Sequence, residues 1–350
     1  MRVRLFLFII SILYLFIGTR EINAGSPYRP FFRGIALDGD PITGERLEQV
    51  EQEMRLHPQI VVFFLQWPSI PETTGFPLDS LNAIWKRGAV PSITWEPMYY
   101  ANGKEIMVSY ESILKGAYDT YLAAFAKKAK SWGKPFLIRF AHEMNIERYH
   151  WGSDKKAYGP KSPEIYKQMF RYIVSLFRRE GADNALWVFC PNAESVPNTS
   201  YDPGAAWNQA RSYYPGDDYI DILGMDGYNW GTTRTVEKNG WKSQWRSFKD
   251  IFQSIYGELK AISPRKPLFV FETASASMGG EKRLWVKEAF ESIDQWDVQG
   301  IVWFQAKKEV DWRINSDGDM SYVSLIHSKT SCSQQWFEDF LKKSGNRNFK

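Results

Sequence analysis

The segment Phe136-Leu-Ile-Arg-Phe-Ala-His-Glu-Met-Asn145 is an apolar run that stops abruptly in Arg139, His142, Glu143 and Asn145. The run has strand length, and Phe, Leu and Ile dominate it. A buried strand that finishes in clustered polar groups has a reason to face a cavity, because unpaired polar groups are costly to bury. Pro267-Leu-Phe-Val-Phe-Glu272 finishes the same way, on a single carboxylate.

Similar runs recur along the chain: Arg33–Leu37, Ile60–Leu65, Val90–Thr94, Phe136–Phe140, Leu186–Phe189, Ile220–Gly224, Leu268–Phe271 and Gly300–Phe304. Most are continuous rather than alternating, as parallel strands buried on both faces require. Helical patterns separate several of them. Tyr118 to Trp132 places Tyr118, Leu122, Phe125, Ala126 and Ala129 on one face. Pro163 to Arg179 repeats the pattern, with Gly181 as a stop signal. Trp245 to Ile262, Lys282 to Trp296 and the shorter Gln49 to Leu56 also read as helices.

This alternation predicts an α/β fold, a (β/α)8 TIM barrel in one domain over residues 27–345. A doubly wound sheet is the competing fold. No Gly-x-Gly-x-x-Gly follows the first strand and no phosphate-loop pattern occurs, which disfavours nucleotide chemistry. Polar groups gather where strands end: Asp38, Gln66-Trp67, Trp95-Glu96, His142-Glu143, Asn192, Asp226, Glu272 and Gln305. In a barrel, that rim is where active sites form.

Arg2 and Arg4 precede a short apolar run, Leu5 to Ile17, and Ile22-Asn23-Ala24 offers a cleavage site. Residues 1–24 therefore read as a signal peptide, with an uncleaved anchor as the alternative, and the mature chain is expected to be secreted or held in the cell envelope. Without them the formal charge falls from +4 to +2, since three arginines and one glutamate leave. No polybasic stripe is present to track phosphates, so nucleic acid is not an expected partner. The basic tail from Lys342 reads as a frayed terminus. Cys190 and Cys332 leave a disulfide open, although a domain of this size does not need one. A monomer is expected.

Aromatic residues make up 16% of the chain, and many stand beside polar strand ends, as in Trp67-Pro, Trp95-Glu, Tyr228-Asn-Trp230 and Trp303-Phe-Gln305. Flat rings on a cleft suit sugar C–H faces. Two carboxyls on opposed strand ends are the equipment for cutting a glycosidic bond. Glu143 is the candidate acid/base and Glu272 the candidate nucleophile. Arg139 is expected to point inward and favour the Glu272 anion, and Tyr228 to donate to the same carboxylate. His142 lacks the second histidine of a zinc helix and reads as an orienting hydrogen-bond partner, so no metal and no cofactor are expected. No Gly-x-Ser-x-Gly elbow occurs. Asp226 to Trp230 reads either as a turn with buried aromatics or as part of the cleft. Trp95, Trp151, Trp230 and Trp303 complete the substrate-binding or supporting set, with core packing the alternative for Trp303.

These residues resemble glycoside hydrolase family 26. The resemblance runs from Arg33 to Asn315 through Thr94-Trp-Glu-Pro97, Arg139-Phe-Ala-His-Glu-Met-Asn145, Trp187-Val-Phe-Cys-Pro-Asn192, Gly224-Met-Asp-Gly-Tyr-Asn-Trp-Gly231, Phe271-Glu-Thr-Ala-Ser275 and Val302-Trp-Phe304. It implies a retaining hydrolase of β-glycans, with Glu143 as acid/base, Glu272 as nucleophile, His142 and Tyr228 in support and Trp303 as a sugar platform. Members act on β-1,4-mannan, mixed-linkage β-glucan or β-1,3-xylan, so the implied function is an endo-β-glycanase, first of all a β-mannanase. The alternatives are an exopolysaccharide-processing or mixed-linkage glucan hydrolase, and a non-catalytic glycan-binding barrel. One departure follows the acid/base: Ile146-Glu147-Arg148 stands where many relatives carry Gly, Asn and an aromatic residue. A charged Arg148 in the cleft would favour an anionic or substituted polysaccharide.

Overall fold

The computed structural model describes residues 31–71, 75–152, 158–327 and 333–344. The signal-peptide reading, Cys332 and the end of the basic tail fall outside them. Ten strands are present among the described residues: β1 Phe32–Leu37, β2 Ile60–Gln66, β3 Val90–Glu96, β4 Met98–Ala101, β5 Lys104–Met107, β6 Phe136–Phe140, β7 Ala185–Phe189, β8 Ile222–Asn229, β9 Leu268–Ser275 and β10 Gly300–Phe304. Eight of them close a parallel barrel in the order β1-β10-β9-β8-β7-β6-β3-β2. Each of the eight apolar runs supplies one barrel strand.

The helices cover the barrel with amphipathic faces. The helix Ser162–Glu180 buries Tyr166, Met169, Phe170, Ile173, Val174 and Phe177, starts with a proline in its first turn and stops at left-handed Gly181. The helix Phe248–Ile262 starts with a capping box between Ser247 and Asp250. No helix among the described residues is long and apolar enough to cross a membrane.

β4 and β5 form an antiparallel hairpin outside the barrel, turned by Asn102 and Gly103, both at positive φ. An Asn-Gly pair is the preferred two-residue hairpin turn, so this element had a sequence signal. The segment Asp226 to Trp230 is not a turn: β8 continues through Asn229.

Two local distortions aim the rim. On the β8 side the register passes from Met225↔Val270 to Asp226↔Glu272, and on the other from Ile301↔Val270 to Trp303↔Thr273. β9 thus carries one extra residue relative to both neighbours, a bulge that redirects side chains. Phe271 and Glu272, consecutive in sequence, both reach the Arg139 guanidinium. After β6, Ala141 and Glu143 adopt left-handed backbone with φ of 47° and 51°. Such residues cost about 1–3 kcal/mol and persist only where the surroundings hold them. Here the Ala141 N–H donates to the Trp95 carbonyl at 3.0 Å and the Glu143 N–H to the Cys190 carbonyl at 2.8 Å.

The strand faces correct two expectations. Trp95 points outward: its Nε1 donates to the Tyr121 hydroxyl at 3.0 Å, and its ring packs on Phe125 and Phe177 of the covering helices. Trp303 also points outward, against Trp285 of the helix Lys282–Gln295, with Nε1 bonded to the Trp312 carbonyl at 2.8 Å. Neither ring lines the cleft. Side chains alternate along a strand, so Thr94, Glu96 and Phe304 take the inner face that their neighbours Trp95 and Trp303 do not.

Candidate active site

Arg139 stands at the centre, fully buried on the inner face of β6. Its Nη1 donates to Thr94 Oγ1 of β3 at 2.8 Å and lies 2.8 Å from Glu272 Oε1 of β9. Nη2 pairs with Asp226 of β8. Burial works against this charge, but Asp226, Cys190 and Glu272 raise the guanidinium well above its ordinary range. Asp226 also accepts from the Cys190 thiol at 3.2 Å. Cys190 is a buried free thiol.

Glu272 receives a second donor, the Tyr228 hydroxyl, at 2.6 Å from Oε2. Burial, and then the charge of Glu272, push the Tyr228 phenol well above its ordinary value, so it remains a donor. The expected approaches of Arg139 and Tyr228 to Glu272 are both present in the structure.

Glu143 has a different setting. It is 6% exposed and accepts from Asn192 Nδ2 at 2.6 Å. Burial first, and then the negative charge of Glu272, raise it to about 7, and the Asn192 bond opposes them only in part. No cation pairs with it among the described residues. Asn145 anchors the segment by donating to the Asn192 carbonyl at 2.9 Å and accepting from the Asn192 N–H at 2.8 Å. Asn192 was visible in the sequence only as a polar strand end; its contact with Glu143 is long-range.

His142 is fully buried, and burial followed by the charge of Arg139 hold its pKa well below the ordinary value. It is therefore neutral. Neither ring nitrogen has a hydrogen-bond partner among the described residues, which differs from the orienting bond expected of it, and Nε2 lies 3.8 Å from Glu272 Oε1. His142, Asp226 and Glu272 bring ligand atoms within 4.8 Å of one another. Arg139 already contributes a positive charge to both carboxylates, so a cation placed there would meet repulsion.

The remaining aromatics divide by layer. Tyr149 packs on the His142 ring at 4.9 Å and stacks on Trp151 at 4.6 Å and 11°. Trp151 is 1% exposed and donates to the His142 carbonyl at 2.7 Å, so it supports the site from below rather than lining the cleft. Trp230 is half-buried and borders a hollow of about 340 Å³ shared with Asn192, Tyr228, Trp241, Lys242 and Arg246. Phe304, between Phe64 and Tyr228, faces the barrel mouth where Trp303 was expected. Arg148 is not a free charge: Glu105 of β5 binds its two Nη atoms at 2.9 and 2.7 Å, and the guanidinium lies over Tyr149.

Residues 84–256 match the model of Glycosyl hydrolase family 26. Endoglucanase H of Acetivibrio thermocellus is 39% identical over 238 residues, which are 67% of this chain and 24% of that protein. A mannan endo-1,4-beta-mannosidase of Bacillus subtilis is 28% identical over 172 residues, 43% of each chain. The chain thus spans less than half the length of either relative. Among solved structures, Bacillus subtilis mannanase BCman has a TM-score of 0.62 at 19% identity, covering 88% of both chains. The Bacteroides ovatus β-mannanase BoMan26A has a TM-score of 0.59 at 17% identity, covering 88% of this chain and 91% of its own. At those identities the two structures speak for the barrel alone. The sequence matches add the family, and the chain belongs to glycosyl hydrolase family 26.

Proposed function

We propose that the protein is an endo-β-glycanase that cuts β-linked polysaccharide by double displacement. The observation that carries this reading is the unequal setting of two buried glutamates. Glu272 faces a cation and a hydroxyl donor, whereas Glu143 is raised to about 7 and faces an amide. A retaining glycosidase needs that inequality: one carboxyl must attack while the other holds a proton.

In the first step Glu143 gives its proton to the glycosidic oxygen as that bond breaks. Glu272 attacks the anomeric carbon and forms a glycosyl ester. Glu143, now a carboxylate, then takes a proton from water, and the water oxygen replaces Glu272 at the same carbon. Arg139 and Tyr228 hold Glu272 in position, and Tyr228 regains its full bond when the ester is cleaved.

β-1,4-Mannan is the first substrate of this reading, in line with the B. subtilis relative. A β-glucan is the second, favoured by the 39% identity to Endoglucanase H. A polymeric substrate suits export by the signal peptide read in residues 1–24.

The test is release of reducing ends from β-mannan, mixed-linkage β-glucan and β-1,3-xylan, with Glu272→Ala and Glu143→Gln as controls. Glu272→Ala should lose about four orders of magnitude in kcat, and azide should restore turnover with inverted anomeric configuration. Glu143→Gln should lose about 10²–10⁴-fold on polysaccharide but far less on an aryl glycoside whose leaving group needs no proton. Cleavage that survives Glu272→Ala would sink the mechanism.

A further inference from the structure

A third carboxyl faces the cleft and has no part in the double displacement. Glu96 ends β3 on the face that carries Thr94, and it is 4% exposed. One of its oxygens accepts from Gln66 Nε2 of β2. The other has no hydrogen-bond partner among the described residues. That oxygen is not among the buried side-chain atoms left without a partner, so it is the part of Glu96 that stays open to the cleft solvent.

Thr94, two residues before Glu96 on the same face of β3, accepts from the Arg139 Nη1 that lies 2.8 Å from Glu272 Oε1. Charge interactions reach Glu96 from Glu272 of β9, from Arg148 after β6 and from Glu105 of β5. The Tyr149 phenol feels Glu143, Glu96 and Glu272 together. Glu96 is thus the next inward side chain after Thr94, at the end of β3 on the rim that carries Glu143 and Glu272. Gln66 beside Glu96 sets an amide donor next to a carboxyl acceptor, a pairing matched to neighbouring hydroxyls on one ring. Burial, and then the charge of Glu272, raise Glu96 to about 7, which leaves it able to donate as well as accept near neutrality.

We propose that Glu96, presented by Gln66, grips hydroxyl groups of the sugar unit that lies against Glu272 and so sets which epimer of β-linked hexose the enzyme prefers. This rests on the endo-β-glycanase reading and deepens it. Glucose and mannose units differ in the orientation of one hydroxyl, and a buried group built to bond a hydroxyl discriminates strongly against a sugar that leaves it unpaired.

The experiment compares wild type, Glu96→Gln and Glu96→Ala on soluble β-mannan and mixed-linkage β-glucan, with kcat, KM and the thermal unfolding midpoint measured for each. Glu96→Ala should raise KM on the preferred polymer by at least about tenfold and change the ratio of kcat/KM between polymers by about fivefold or more, with an unlowered unfolding midpoint. Glu96→Gln, which keeps the shape and one acceptor, should fall between. A KM and a polymer ratio within about twofold of wild type in Glu96→Ala overturn the proposal. So does a loss of kcat that follows a fall in the unfolding midpoint in both variants, since that is a structural role. Wild type inactive on both polymers removes the glycanase reading and this inference with it, whereas active wild type with an unaltered Glu96→Ala removes the inference alone.

Discussion

Arg139 Nη1 lies 2.8 Å from Glu272 Oε1, with the Arg139 side chain closed to solvent and that of Glu272 buried but for a small opening. The same guanidinium pairs with Asp226, so its removal strands two buried carboxylates. Arg139→Ala should destabilise the protein by about 3–5 kcal/mol, the usual cost of breaking a buried pair from one side. Arg139→Lys should fold better yet lose roughly 10²-fold in kcat, because a single ammonium cannot hold two carboxylates in a fixed fork. Thermal unfolding and steady-state kinetics on the two variants check this; an Arg139→Lys enzyme with wild-type kcat would contradict it.

Glu143 has a folded-state pKa of about 7, above its ordinary 4.5. The folded chain thus binds this proton more tightly than the unfolded chain does. The carboxyl imposes no cost below about 4.5, an increasing one through the window between, and its full cost above about 7. Stability should therefore fall as pH rises through that window. Glu143→Gln should be more stable than wild type at pH 8, by up to about 3 kcal/mol, and no more stable at pH 4.5. Activity should decline as pH passes about 7, because the acid must carry its proton. A wild-type rate that keeps rising to pH 9 would contradict the assignment of Glu143 as the acid.

Trp303 and Trp230 should separate in experiment. Trp303 fills the layer between β10 and the helix Lys282–Gln295, so Trp303→Ala should cost about 3–5 kcal/mol of stability. Trp230 is half-buried and borders a hollow it shares with Asn192 and Tyr228, the partners of Glu143 and Glu272, so Trp230→Ala should raise KM severalfold with a smaller loss of stability. Denaturant unfolding beside KM measurements on one polysaccharide decides; the reverse pattern would contradict the outward orientation of Trp303.

Arg148 is half exposed and its charge is met by Glu105. The expected preference for anionic polysaccharide therefore loses its basis. Arg148→Ala should leave the ratio of rates on neutral and acidic glycans unchanged, while loosening the β4–β5 hairpin against the segment that carries Tyr149. Its stability effect should stay within about 1 kcal/mol, as for exposed pairs. A selective loss of activity on acidic glycans would restore the earlier expectation.

By itself the sequence determined the barrel and the rim. Eight continuous apolar runs need burial on both faces, and polar residues directly after them need a cavity; both requirements are local, so Glu143, Glu272, Arg139 and Tyr228 are legible in the sequence. That same continuity hid the strand faces. Where apolar residues fill both sides of a strand, alternation carries no signal, and Trp95 and Trp303 were read into a cleft from which they point away. Only the tertiary structure decided the rest. The extra residue in β9, the left-handed backbone at Ala141 and Glu143, the Asn192 bond to Glu143, the Glu105 pairing of Arg148 and the Gln66 bond to Glu96 all depend on contacts between strands far apart in the chain. Such contacts form when the barrel closes, and no local pattern in the sequence encodes them.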